Sequence, residues 1–181
     1  MADVTLTYKG STIAEMSNTG SKTLKTSGKY CEGDIGVSYV KPEGGTSDEL
    51  AKKIITGEGD ITELPSGITK IKTGVFTGSD NLKITYIPDG VTSIGGTSFQ
   101  NCKNLITISI PNSVTSIGFW AFNNCPNLTT VIFKGTPTNI DSSAFSVCDK
   151  ITDIYVPWSS GAVSGAPWGA TNATIHYNTT T

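Results

Sequence analysis

Apolar residues return along this chain at a fixed interval. Phe76, Phe99, Phe122 and Phe145 lie 23 residues apart, as do Ile71, Ile94, Ile117 and Ile140. Leu64, Ile87, Ile110, Phe133 and Val156 make a third column, Pro65, Pro88 and Pro111 a fourth, and Leu82, Leu105, Leu128 and Ile151 a fifth. Five columns in one register mark a structural repeat. Within a unit, Ile108 and Ile110 flank Ser109, the alternation of a short strand with one buried face. Pro111 has no N–H to give to a ladder and ends that strand. Ile117, Ala121 and Phe122 fit a helical turn on the far side of the coil. The pattern predicts parallel strands near 62–64, 85–87, 108–110, 131–133 and 154–156. Each coil has an apolar interior that only its neighbours can cover, so the units stack into one core.

The clearest unit reads Asn104-Leu105-Ile106-Thr107-Ile108-Ser109-Ile110-Pro111-Asn112-Ser113-Val114-Thr115-Ser116-Ile117-Gly118. In this it resembles the BspA-like leucine-rich-repeat family, over about residues 61–157. The resemblance implies an α/β leucine-rich-repeat solenoid of 23-residue units that works by presenting a surface. The end units depart from the pattern. Ser79 stands where later units have Cys, and Thr85 replaces an inward aliphatic residue. In the fourth unit Lys134 replaces Pro, Pro137 takes the Val114 position and Asp141 the Gly118 position.

The flanks have another texture. Thr46-x-x-Glu49 is a capping box, and Leu50, Ala51, Ile54 and Ile55 follow as one stripe, so an amphipathic helix over 47–56 is expected to close the amino end of the stack. Before it, alternation at Val4, Leu6 and Tyr8 and at Ile35, Val37 and Tyr39, broken by glycines, predicts a small β module and linker over 1–45. The solenoid with its capping helix then spans 46–157, and a carboxy-terminal cap 158–181, with Trp158 and Trp168 packed on the last coil. The segments 21–37 and 166–177 resemble parts of bacteriophage and prophage tail or virion proteins. That resemblance implies a virion setting, whereas the repeat alone implies a bacterial cell-surface adhesin.

Charge narrows the partners. The net charge is −2 and charged residues make up 15%, so there is no basic footprint for nucleic acid. No apolar run reaches the roughly 20 residues of a membrane span. The first residues, Met1-Ala2-Asp3-Val4-Thr5, do not read as a secretory signal, and no anchor motif closes the sequence. The expected partners are a protein or glycan on a cell surface, or other virion proteins, with no nucleic acid, membrane insertion or cofactor.

Candidate chemistry is sparse, and the chain reads as non-enzymatic, without catalytic or metal-binding residues. His176 is the only histidine, no nucleophile elbow accompanies it, and Ile175-His176-Tyr177 reads as a final strand. Neither Gly57-x-Gly59 nor Gly95-Gly96 carries a phosphate-loop signature. Cys102, Cys125 and Cys148 share one phase, about 5 Å apart by coil spacing. A disulfide or metal is within geometric reach, but a ladder of thiols packed as small hydrophobes is the reading adopted. Glu58, Asp60 and Glu63 read as a solvated entry to the first coil. The outward column, concave in a leucine-rich horseshoe, holds Glu63, Tyr86, Ser109, Ile132 and Tyr155; Tyr86, Ser109, Ile132 and Tyr155 are the candidate binding residues. Phe119 and Trp120 stand where other units are small or polar, and mark either a second contact patch or packing under the β module.

Overall fold

The computed structural model describes residues 59–64 and 67–179, together with the strand backbone of 4–8, 11–16, 19–28 and 31–40. The expected helix over 47–56 lies outside the described residues. The amino-terminal strands are β1 (Val4–Tyr8), β2 (Ser11–Met16), β3 (Thr19–Gly28) and β4 (Cys31–Val40). They pair as two antiparallel ladders, β1 with β2 and β3 with β4.

Coils follow, each with three sides. The first side carries β7 (Thr107–Ile110), β9 (Thr130–Phe133), β11 (Asp153–Tyr155) and β12 (Thr174–His176), parallel and in register. Ile108, Val131 and Ile154 point inward and are fully buried, while Ser109, Ile132 and Tyr155 point outward, as the alternation requires. The two earlier strands do not form as expected. At 85–87 only the bridge Tyr86–Ser109 is made, and at 62–64 there is none. Thr85 is exposed, and Ile84 enters the core one residue early, which breaks the period-2 alternation. Ile61 bridges Leu82 rather than its counterpart Ile84, so the first coil enters out of register.

The second side is a ladder that the columns do not announce. β5 (Ile68–Ile71), β6 (Ser93–Ile94), β8 (Ser116–Ile117) and β10 (Asn139–Ile140) run parallel, most of them two residues long. Threonine hydroxyls reinforce it, Thr92 donating to the carbonyl of Thr69 and Thr115 to that of Thr92, each at 3.0 Å. β4 joins this sheet antiparallel to β5, through Val37–Ile71 and Ser38–Lys70, and gives it the order β10-β8-β6-β5-β4-β3.

The third side corrects the α component of the expected repeat: consecutive turns stand where a helical turn was read. The N–H groups of Thr97, Phe99 and Asn101 donate to Phe119, Ala121 and Asn123 of the next coil. The intervening N–H groups of Ser98 and Gln100 donate three residues back, to Gly95 and Thr97. A helix would turn every N–H along its own axis and leave none for the neighbouring coil. Left-handed residues make the alternation possible, at Gly74, Thr97 and Trp120 and again at Gly78, Asn101, Asn124 and Val147. The coils also approach too closely for a side chain at one corner, where a Cβ on Gly95 would lie 2.4 Å from the backbone nitrogen of Thr73.

The core is built of ladders. Phe76, Phe99, Phe122 and Phe145 stack with centroids 5.2, 4.9 and 5.1 Å apart and planes within 11° of parallel. Trp168 stands 23 residues after Phe145 and is fully buried, its indole N–H donating to the carbonyl of Ser164 at 2.8 Å. Residues 158–177 therefore make one more coil, ending in β12, and Trp158 and Trp168 pack edge-on against one another and on Phe133. Among the departures noted in the fourth unit, Pro137 is still buried, and Asp141 makes a local turn by accepting from the N–H and hydroxyl of Ser143. Cys102, Cys125 and Cys148 are buried free thiols that donate to the carbonyls of Phe76, Phe99 and Phe122 at 3.1, 3.2 and 2.9 Å.

Two outcomes follow from these ladders. Phe122 has a ring neighbour on both sides, so Phe122→Ala lowers unfolding free energy by about 3–5 kcal/mol in urea titration; an unchanged midpoint refutes the stacking register. Burial pushes the Cys102 thiol up to about 12, and Cys125 is raised by its hydrogen bond with Cys148 and by burial. The Cys148 thiol is lowered by the same hydrogen bond, so protection of all three rests on their burial. In a Cys31→Ser background the native protein leaves a thiol reagent unreacted at pH 8, and consumes three equivalents once unfolded in guanidinium.

Candidate functional site

Parallel pairing turns single residues into a row. Tyr86 neighbours Ser109, Ser109 pairs with Ile132, Ile132 with Tyr155, and Tyr155 with His176. At an interstrand spacing of about 4.8 Å the row extends about 19 Å across the first side. Tyr86 is 44% exposed, and the others are half-buried between their neighbours on the sheet. Glu63, expected to head this column, is exposed but has no place in the ladder, because the first coil is out of register.

The carboxy-terminal end of the row is more elaborate than the sequence disclosed. The rings of Tyr155 and His176 stack with centroids 4.5 Å apart and planes at 14°. His176 Nε2 lies 2.8 Å from Asp153 Oδ1, and the hydroxyl of Thr152 donates to Asp153 Oδ2 at 2.7 Å. The Thr152 hydroxyl first, and then His176, hold the Asp153 carboxyl below the ordinary carboxylate range. His176 thus belongs to the row as a ring held between Asp153 and Tyr155. The signal was present but displaced: it follows Tyr155 by 21 residues instead of 23, because the last coil is two residues shorter on this side.

The second candidate patch is on a different side of the coil. Phe119 and Trp120 sit on the turn side, 52% and 46% exposed, with ring centroids 6.1 Å apart. Phe119 lies on the neighbouring coil: a Cβ on Gly96 would be 2.6 Å from its ring. Trp120 has φ of 53°, in the left-handed region its turn requires. The row and the aromatic pair are therefore two surfaces, not parts of one.

Other charges are peripheral. Lys83 pairs with Asp60 at 2.9 Å and Lys103 with Asp80 at 3.2 Å, each between successive coils and about half exposed. Exposed pairs of this kind contribute little to stability. Among the described residues, no group of three His, Cys, Asp or Glu side chains is arranged to hold a metal ion, and no helix is long and apolar enough to cross a membrane.

Residues 60–164 match the BspA type leucine rich repeat region, in six copies. A leucine rich repeat protein of T. pallidum is similar at 22% identity, over 70% of this chain and 72% of that one, with a TM-score of 0.44. A leucine rich cell surface protein of Faecalibacterium prausnitzii is similar at 21% identity over 65% of this chain (TM-score 0.39), and a leucine-rich repeat protein of Bacteroides ovatus at 20% over 76% (TM-score 0.42). The match covers 47% and 46% of the length of those last two proteins. No curated relative matches the chain. With a matched region covering more than half of its length, and in-register coils of 23 residues to go with it, the chain belongs to the BspA-type leucine-rich-repeat family.

Proposed function

We propose that this protein is a non-enzymatic recognition module that binds a protein surface with the first side of its solenoid. One observation carries the reading: Tyr86, Ser109, Ile132 and Tyr155 form a continuous outward row on a rigid parallel sheet. Tyrosine offers a large contact area with a polar tip at low entropic cost, which suits recognition. The sheet fixes the backbone of Ser109, Ile132 and Tyr155, and the bridge to Ser109 ties Tyr86 to its edge, so little order has to be imposed on binding. Asp153 and His176 supply a polar end to an otherwise uncharged strip, and so give it a direction. Membership of the BspA-type family favours display on a bacterial cell surface. A phage or prophage tail position, with other virion proteins as partners, is supported by the flanking sequence segments alone.

Binding through such a strip is tolerant of salt, because few charges are screened. It is strengthened by display in many copies, which raises effective concentration. The test is Tyr86→Ser with Tyr155→Ser in a multimerised protein, measured for adhesion to bacterial and host cells. Loss of two outward aromatic anchors, one exposed and one half-buried, is expected to weaken binding by about 2 kcal/mol or more, roughly 30-fold, with the melting temperature little changed. Full adhesion by the double variant overturns the assignment of the row. Adhesion then lost on changing Phe119 and Trp120 moves recognition to the turn side.

A further inference from the structure

The turn side has a composition unlike the rest of the molecule. Its four stacked segments, 73–78, 96–101, 119–124 and 142–147, contain no charged residue and no histidine, although 15% of the chain is charged. Charge stands only at the borders, at Lys72 before the first segment and at Asp141 before the last, where Asp141 Oδ1 accepts from the N–H and hydroxyl of Ser143 at 2.9 and 2.5 Å. What the side offers instead is hydroxyls, amides and one pair of aromatic rings. Gln100 Nε2 donates to Asn123 Oδ1 at 3.0 Å, and Asn124 Nδ2 to Asn101 Oδ1 at 2.7 Å. Asn123 is buried and its amide also donates to the carbonyl of Ser146 at 2.9 Å. A primary amide has two donors and an acceptor oxygen with two lone pairs, so Gln100, Asn101 and Asn124, which reach the surface, keep hydrogen-bonding capacity after these contacts.

The aromatic pair is held rather than dangling. Phe119 rests on the backbone of the coil before it, at buried Gly96, which leaves one ring face to solvent. The neighbouring position is left-handed in successive coils, where Gly74 and Thr97 precede Trp120. The coil would be satisfied by glycine there; it carries the largest side chain available, in a conformation that is unfavourable for bulky residues. A strained backbone position bearing an exposed ring points to use of that ring.

We propose that the turn side, centred on Phe119 and Trp120, is a binding site for a neutral carbohydrate chain. A sugar presents an apolar face of C–H groups, which matches an aromatic ring fixed on its support, and a rim of hydroxyls, which matches amides and hydroxyls. With charge confined to Lys72 and Asp141 at its borders, the centre of the side around Phe119 and Trp120 offers acidic or basic ligands no complementary charge. The site lies on another side of the coil from the tyrosine row and stands independently of it.

The test uses the full chain in native gels cast with soluble neutral polysaccharides, a glucan, a mannan, a xylan and a galactan. Retardation in at least one, without retardation in an acidic polysaccharide, is expected. Trp120→Gly should reduce the affinity at least ten-fold while the melting temperature holds or rises, since φ of 53° suits glycine. Trp120→Phe should keep part of the binding, and Phe119→Ser, which installs the residue found at position 142, should lose most of it. Trp158 and Trp168 are buried, so a blue shift of tryptophan emission on adding the retained polysaccharide reports Trp120. No retardation in any of the four polysaccharides overturns the proposal, as does retardation that Trp120→Gly leaves unchanged. A concentration-dependent dimer, abolished by Trp120→Gly and unaffected by polysaccharide, would assign the patch to self-association and overturn it equally.

Discussion

Everything in this molecule depends on one constraint: the interior of a coil can be covered only by the next coil. A single 23-residue turn encloses too little to fold alone, so its stability resides in the interface above and below. That interface is satisfied on three sides at once, by the parallel strands of β7, β9, β11 and β12, by the short ladder of β5, β6, β8 and β10, and by the alternate N–H groups of the turns. Identical residues then meet across it. Phenylalanine meets phenylalanine at about 5 Å, and cysteine thiols repeat the same bond to a carbonyl in three successive coils.

The same constraint explains the irregular ends. Where a column breaks, as at Thr85, the strand shrinks to a bridge, although the core is kept filled by Ile84. In the last described coil Trp168 takes the phenylalanine column and Trp158 packs against Phe133, larger rings than those of the coils before it. Surface and core are thereby separated. Inward columns are fixed by packing, and outward positions of the same strands are left free to vary, which is how Ser109 and Ile132 can sit between Tyr86 and Tyr155.

Much of this was legible in the sequence, and the failures have physical causes. The columns located β7, β9 and β11, because Ile108, Ile110, Val131 and Phe133 alternate with polar or outward residues over enough length to show a period of two. β6, β8 and β10 are Ser-Ile, Ser-Ile and Asn-Ile, too short to show any period. Ile117, Ala121 and Phe122 satisfy helical spacing and a run of turns equally, and the left-handed residues that decide between them include Thr97 and Trp120, which do not announce that conformation. The last coil was read as a cap because Trp168 substitutes for phenylalanine and the strand returns after 21 residues. For the same reason the row of Tyr86, Ser109, Ile132 and Tyr155 was traced, but its extension to His176 and Asp153 was not.

The join of β4 to β5 has a consequence for how such a molecule changes size. Between two parallel coils, an inserted copy of the unit finds the same columns above and below and is accommodated. At the β4 edge the strand runs against the coils, so the unit that docks there must carry a strand that pairs antiparallel, as β5 does. Units inside the stack answer only to their like neighbours, whereas the unit at that boundary answers to β4 as well. Each internal gain separates the amino-terminal strands from β12 by about 4.8 Å. The architecture behaves as a ruler with a fixed zero mark, able to alter its reach in whole divisions without rewriting what is displayed on either face.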